Sequence, residues 1–202
     1  MSENGKLKKF WLWELTRPAF EDWIDNEPEP VIILGMGSIE QHGPHLPLGM
    51  DSLGATRFIY EIAKRTNSLC FNPCWPGYSP HHMGYRGTVT LKEDTLLAVF
   101  MDTIECLADH GVKRFVMSNH HGGNSDIFSL TSRLAKEYFN VMVAQPNGPS
   151  NTKLAKIYAD RQKRYWDVHS GPTETSMALS LFPELVEMWR LDDWTPTLKM
   201  HP

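Results

Sequence analysis

The chain has 202 residues, 41% hydrophobic and 22% charged, with a formal net charge of −4. That length suits one domain, 1–202, with a substantial core. The negative balance without a basic patch argues against nucleic acid as a partner, and the scattered charges argue against a polybasic membrane anchor.

From Met1 to Lys9 the chain is polar and basic, without the apolar core and cleavage site of a signal peptide. No apolar run is long enough for a transmembrane helix. Cys70, Cys74 and Cys106 are an odd set without a second pair, which suits a reducing compartment. A cytoplasmic protein with buried or inert thiols is expected.

Phe10 to Trp23 is rich in tryptophan, and Asn26 to Pro30 forms a Pro/Glu-rich turn. Val31 to Leu34 reads as a buried strand. A helix is predicted from Asp51 to about Arg65, with Ile59, Ile62 and Ala63 on its apolar stripe and Asp51 as its cap. Residues 72–87, rich in Asn, Pro, Gly, Tyr and His, read as a long functional loop. A second helix covers Asp94 to His110 and stops at Gly111. Arg114 to Met117 is a strand, Ser125 to Tyr138 a helix and Val141 to Ala144 a strand. Alternating strands and helices imply a largely parallel sheet with helices on both faces. Ligands of such sheets bind beyond the C-terminal strand ends.

Two histidine-bearing clusters fall at those ends. The first is Glu40-Gln41-His42-Gly43-Pro44-His45, with Asp51 nine residues after His42. A nucleotide-binding turn would need glycine after Gly35 and Gly37 at position 40; Glu40 would instead repel a pyrophosphate. Each residue alone has a plainer role, as surface acid, turn residue or helix cap. Together, after a strand, Glu40, His42 and Asp51 read as metal ligands.

The second cluster is Asn119-His120-His121-Gly122-Gly123-Asn124, and the residues alone do not choose between His120 and His121. A third, His169-Ser170-Gly171-Pro172-Thr173-Glu174, opens another helix. Glu174 in its first turn would ordinarily serve the helix dipole, but it can also complete a ligand set. His81 and His82 sit on the long loop, where most histidines are solvated.

Glu40-x-His42-Gly43-x-His45-Leu46-Pro47 with Asp51 resembles the signature of the creatininase (creatinine amidohydrolase) family. Residues 119–124, Ser79-Pro80-His81-His82 with Gly87-Thr88-Val89-Thr90, and residues 169–176 resemble three further family elements. The resemblance implies a three-layer α/β/α fold and a homo-oligomer, commonly a hexamer. It places His121 rather than His120 in the ligand position. It implies two divalent ions bridged by Asp51, one also held by Glu40 and His121, the other by His42 and Glu174. Zinc, manganese or iron suits these mixed donors.

The resemblance makes His169 the proton shuttle, and His82, Arg86 and Tyr165 are the expected substrate contacts. The chain departs from creatininase proper in four ways. Gly123 stands where that enzyme has a ligand glutamate, Tyr165 where it has tryptophan, and Arg86 where proline is usual; the chain also ends sooner after Trp194.

The expected chemistry is hydrolysis of a small or cyclic non-peptide amide. A hydroxide between two cations about 3.5–4 Å apart would be the nucleophile, with His169 as general acid and base. One alternative keeps the site and cleaves a carbon–carbon bond of a cyclic diketone in sugar or inositol breakdown. Arg86 and Tyr165 favour that polyhydroxylated or anionic class. The other alternative is a non-catalytic metal-binding protein.

Overall fold

The computed structural model describes residues 7–146 and 168–192, together with 153, 156, 157, 159 and 160. Its sheet is built from β1 (Val31–Met36), β2 (Leu69–Phe71), β3 (Arg114–Asn119) and β4 (Met142–Ala144). The strand order is β2-β1-β3-β4, and every pairing is parallel.

Around it lie α1 (Arg17–Asn26), α2 (Met50–Thr66), α3 (Glu93–Asp109), α4 (Ser125–Phe139) and α5 (Pro172–Leu181). The connection from β1 to β2 runs one way across the sheet. Those from β2 to β3 and from β3 to β4 run the other way. Right-handed crossovers therefore put α2 on one face and α3 and α4 on the opposite face.

The strands carry this division residue by residue. Ile32, Leu34 and Met36 of β1, with Phe115 and Met117 of β3, join a core with Trp23, Phe100, Ile104 and Phe128. Ile33 faces the other way, into a smaller core with Ile59, Ala63 and Cys70. The period-two alternation of a strand thus feeds both helical layers at once. A third cluster, Leu46, Met50, Ala178 and Phe182, docks α5 against the start of α2.

The expected elements appear with small shifts of boundary. Two were not foreseen: β2, only three residues long, and α1, seen in the sequence only as a tryptophan-rich stretch. Asp51 is not a helix cap. Gly49 occupies the N-cap of α2 without a side-chain bond, and Asp51 lies inside the first turn, buried. No helix among the described residues is long and apolar enough to cross a membrane.

The thiols divide by position. Cys70 lies on β2, where burial and the charge of Glu14 push its thiol up to about 12. Burial pushes Cys74 up to about 11. Cys106, on α3, is exposed, so of the expected buried or inert thiols it is the one that burial does not protect. At pH 8 Cys70 is then thiolate in about one molecule in 10⁴, and the thiolate is the reacting form. Alkylation of the native protein at pH 8 should label Cys106 first, and all three thiols only after unfolding. Mass spectrometry of the labelled peptides checks this; equally fast labelling of Cys70 would contradict its burial.

Candidate metal centre

β1 and β3 are neighbours, and the chain leaves their C-terminal ends toward opposite edges of the sheet. Such a reversal opens a crevice beyond the strand ends. Three loops fill it here: 37–49 after β1, 72–92 after β2, and 120–124 after β3.

Their approach is tight. A Cβ on Gly37 would stand 2.2 Å from backbone atoms of Asp51 and Ser52, so only glycine lets the strand end meet the start of α2. Asn124, fully buried, joins all three loops. Its Nδ2 donates to the Gly37 carbonyl at 2.9 Å, and its Oδ1 accepts from the Tyr78 N–H at 2.9 Å. An antiparallel bridge between Ile39 and Val89 closes the first loop onto the second.

Two carboxylates and two imidazoles form the floor. Glu40 and His42 are 0% exposed, Asp51 6% and His121 7%. Asp51 lies between the two histidines, Oδ1 3.1 Å from His42 Nε2 and Oδ2 3.2 Å from His121 Nδ1. Glu40 Oε2 is 3.3 Å from His121 Nε2 and accepts from the Ser38 hydroxyl at 2.7 Å. Ser79 sits between, bonded to Ser38 and 3.1 Å from His121 Nε2. Glu174 arrives from the first turn of α5, its Oε2 3.9 Å from His42 Nε2. His42 Nδ1 is 3.1 Å from the Glu40 main-chain oxygen, which can only accept, so Nδ1 carries the proton of that bond.

Burial should favour uncharged side chains here, yet the floor is ionised. Burial pushes the Glu40 carboxyl up, but the bonds and charge of His121, with Ser79 and Ser38, outweigh it and hold it at about 2. Burial pushes His121 down, and Asp51 and Glu40 outweigh that and hold it at about 10. His42 rises and Asp51 falls for the same reason, each against the cost of burial. The rim differs. Burial, aided by the neighbouring imidazoles against the pull of Glu40, takes His82 down to about 4. Burial and the charge of His42 lower His169.

The donor set suits divalent cations. Beside Glu40 and Asp51, His121 is held in its protonated form and His42 is shifted the same way, and metal binding exchanges such protons for an ion. Glu40 Oε1 is buried without a hydrogen bond among the described residues, an oxygen left for a further partner. Donors about 2.0–2.2 Å from a tetrahedral ion stand about 3.3–3.6 Å apart, close to the spacings on this floor. Groups of donor atoms within 4.8 Å of one another are Glu40/His42/Asp51, His42/His169/Glu174, Glu40/His82/His169 and Glu40/His81/His121.

The five expected ligands and His169 therefore meet in one place. Together with His81, His82, His120, Gly122, Gly123 and Val168, all but His42 of them line a cleft of about 400 Å³. Arg86 is exposed and is not among the described residues lining that cleft. Tyr165 lies outside the described residues.

Sequence reasoning gave no role to Ser38, Ser79, Gln41 or Asn124. His81 is exposed, as read for a loop histidine, and its ring also lies parallel to that of His121 at 5.7 Å. A serine two residues before Glu40 was the available signal for Ser38. Ser79 opens one of the family-like elements, but its contacts with Ser38 and His121 arise only when the second loop folds over. Gly123 has no room for a side chain, since a Cβ would meet the Tyr78 carbonyl at 2.2 Å and His121 Nε2 at 2.5 Å. Gly122 points into open space, with no described atom within 4 Å of its Cβ position.

Comparisons with known proteins agree with this arrangement. The family described as creatininase, creatinine amidohydrolase, matches residues 13–201. Creatinine amidohydrolase of Pseudomonas putida is 31% identical over 209 residues, covering 94% of this chain and 78% of the relative. A 3-dehydro-scyllo-inosose hydrolase of Thermotoga maritima is 30% identical over 172 residues, covering 80% of this chain and 54% of the relative. The chain thus spans about half the length of that relative. A mycofactocin precursor peptide peptidase of Mycobacterium ulcerans is 28% identical, with 80% of this chain and 62% of the relative covered.

Among solved structures, a manganese creatininase superposes with a TM-score of 0.77 at 28% identity, covering 94% of this chain and 79% of that one. A glutamate-to-glutamine mutant creatininase of Zn–Zn type gives 0.77 at 28% identity, covering 91% and 77%. With the match running over nearly its whole length, the chain belongs to the creatininase family.

Proposed function

We propose that the protein is a binuclear metal-dependent hydrolase of a small or cyclic amide. The observation that carries this reading is the Asp51 carboxylate, whose two oxygens face two different imidazoles at 3.1 and 3.2 Å. A carboxylate so placed can serve two ions at once. Glu40 and His121 would share the first ion with Asp51, and His42 and Glu174 the second. Manganese and zinc are the metals named in the creatininase structures, and both suit this donor set.

When bound, the ions supply Lewis acidity at the substrate carbonyl and lower the pKa of water. The remaining work falls to side chains. His169, on the rim 3.7 Å from Glu40, receives a proton as water attacks and returns it to the departing nitrogen. Glu174 replaces the carboxylate that Gly123 has no room to bear. His82, stacked on His169 with ring centres 4.5 Å apart, forms one wall of the substrate site. Assembly as a homo-oligomer belongs to the same reading, as the family resemblance implies.

A second reading keeps the same site and cleaves a carbon–carbon bond in a cyclic diketone. The match to the inosose hydrolase favours it. An enolate leaving group also needs a proton, which His169 can deliver. The peptidase relative adds a peptide bond to the substrates worth trying.

Asp51→Ala should lose both ions, because one side chain serves two. Metal analysis retaining two ions per chain would remove Asp51 from the bridge. His169→Ala should keep its metal content and lose about 10²–10⁴-fold in turnover, the range for a general acid–base group; unchanged turnover would exclude the shuttle. A screen of metal-loaded protein against cyclic amides, short peptides and cyclic diketones decides the bond. Turnover of cyclic diketones alone would replace the amide reading by the second one.

A further inference from the structure

Gln41 lies between Glu40 and His42 and makes more polar contacts than either metal chemistry or packing requires. Gly43 has a left-handed backbone (φ 66°), and its N–H donates back to Gln41 Oε1 at 3.0 Å. An N–H donor on Oε1 fixes which end of the amide is oxygen. The other end, Nε2, is therefore a donor, and it lies 3.0 Å from His82 Nδ1. His82 must accept at Nδ1, so its proton is on Nε2. That atom faces Glu40 Oε1 at 3.4 Å, longer than a hydrogen bond but aimed at the buried carboxylate.

The main chain of Gln41 acts on the second ring. Its carbonyl oxygen lies 2.7 Å from His169 Nε2. A carbonyl only accepts, so His169 Nε2 carries the proton. The Gln41 amide nitrogen is also 3.1 Å from His169 Nε2. If that amide donated there, a bare ring nitrogen would face the carbonyl oxygen at 2.7 Å, lone pair against lone pair. The shorter contact decides, and the amide hydrogens go to His82. His169 Nδ1 is then the unprotonated nitrogen, on the side of Glu40 Oε1 at 3.7 Å.

We propose that Gln41 is a positioning residue that fixes the protons of His82 and His169 on Nε2, leaving His169 Nδ1 as the atom that exchanges protons with the substrate. The side-chain amide sets His82 and the main-chain carbonyl sets His169, and the two rings stack with centres 4.5 Å apart. The inference rests on the shuttle role of His169 given above. For metal-ligating histidines, losing the hydrogen bond that fixes the tautomer typically costs about 10–100-fold in affinity or activity, and the same order is expected for these rim rings.

The test is long-range ¹H–¹⁵N NMR of the imidazoles in metal-free protein, together with kinetics of the substrate accepted in the screen. In the wild type both His82 and His169 should show a bare Nδ1; a proton on Nδ1 of either ring overturns the proposal. Gln41→Leu should turn His82 into a mixture of tautomers and lower kcat about 10–100-fold, with KM within about threefold. Gln41→Glu keeps the shape but replaces the donor by an acceptor, so it should move the His82 proton to Nδ1 and lose rate as well. Wild-type tautomers and rate in either variant refute the inference. The NMR result needs no substrate, so full turnover in His169→Ala would sink the shuttle role while leaving the proton positions to be judged separately.

Discussion

Two carboxylates buried beyond the ends of adjacent parallel strands are the constraint on which the site is built. An ionised group taken out of water costs several kcal/mol unless it is matched. Glu40 and Asp51 are matched by His121 and His42, and Ser38 adds a hydrogen bond to Glu40. Removing one partner from such a pair typically costs ~3–5 kcal/mol. The three loops are therefore held together by charge as well as by packing. Asn124 and the narrow passage at Gly37 supply the neutral part of the same clamp.

The site separates into a floor and a rim with different jobs. The floor is deep, ionised and fixed by the first turn of α2 and by the segments that follow β1 and β3. The rim carries His81, His82 and His169 on less buried chain. Glu174 belongs to neither group entirely. It comes from α5, which packs through the Leu46/Met50/Ala178/Phe182 cluster rather than through either main core. His45 ties that helix to the first loop by a 2.8 Å contact with Thr175. One carboxylate of the cleft is thus supplied by a separately docked element, so its position can change without disturbing either main core.

Much of this was legible in the sequence because the signals were local. Val31 to Leu34 followed by Glu40, His42 and Asp51 places donors at a strand end within one short stretch. The periodic helices Glu93–Asp109 and Ser125–Phe139 were readable from spacing alone. β2 was missed because three residues carry too little alternation to be seen, and it is a strand because β1 and a bridge to Trp11 offer it partners. Asp51 was read as a cap because acids favour helix starts. Two histidines from different loops compete for it, and that is a tertiary fact. The choice of His121 over His120 came from family resemblance, since neighbouring identical residues are equivalent to a local reading. His120 instead places Nε2 3.1 Å from the Ser118 hydroxyl and sits edge-on to Phe58.

Gly122 and Gly123 are adjacent and chemically identical, but their surroundings give them opposite tolerance to change. At Gly123 any side chain collides with the Tyr78 carbonyl and the His121 ring, so that position is closed to variation. At Gly122 the space belongs to the cleft itself. A designer seeking to retune which molecule fits would start there, adding bulk or polarity to the mouth of the pocket while the buried ion-pair network stays untouched.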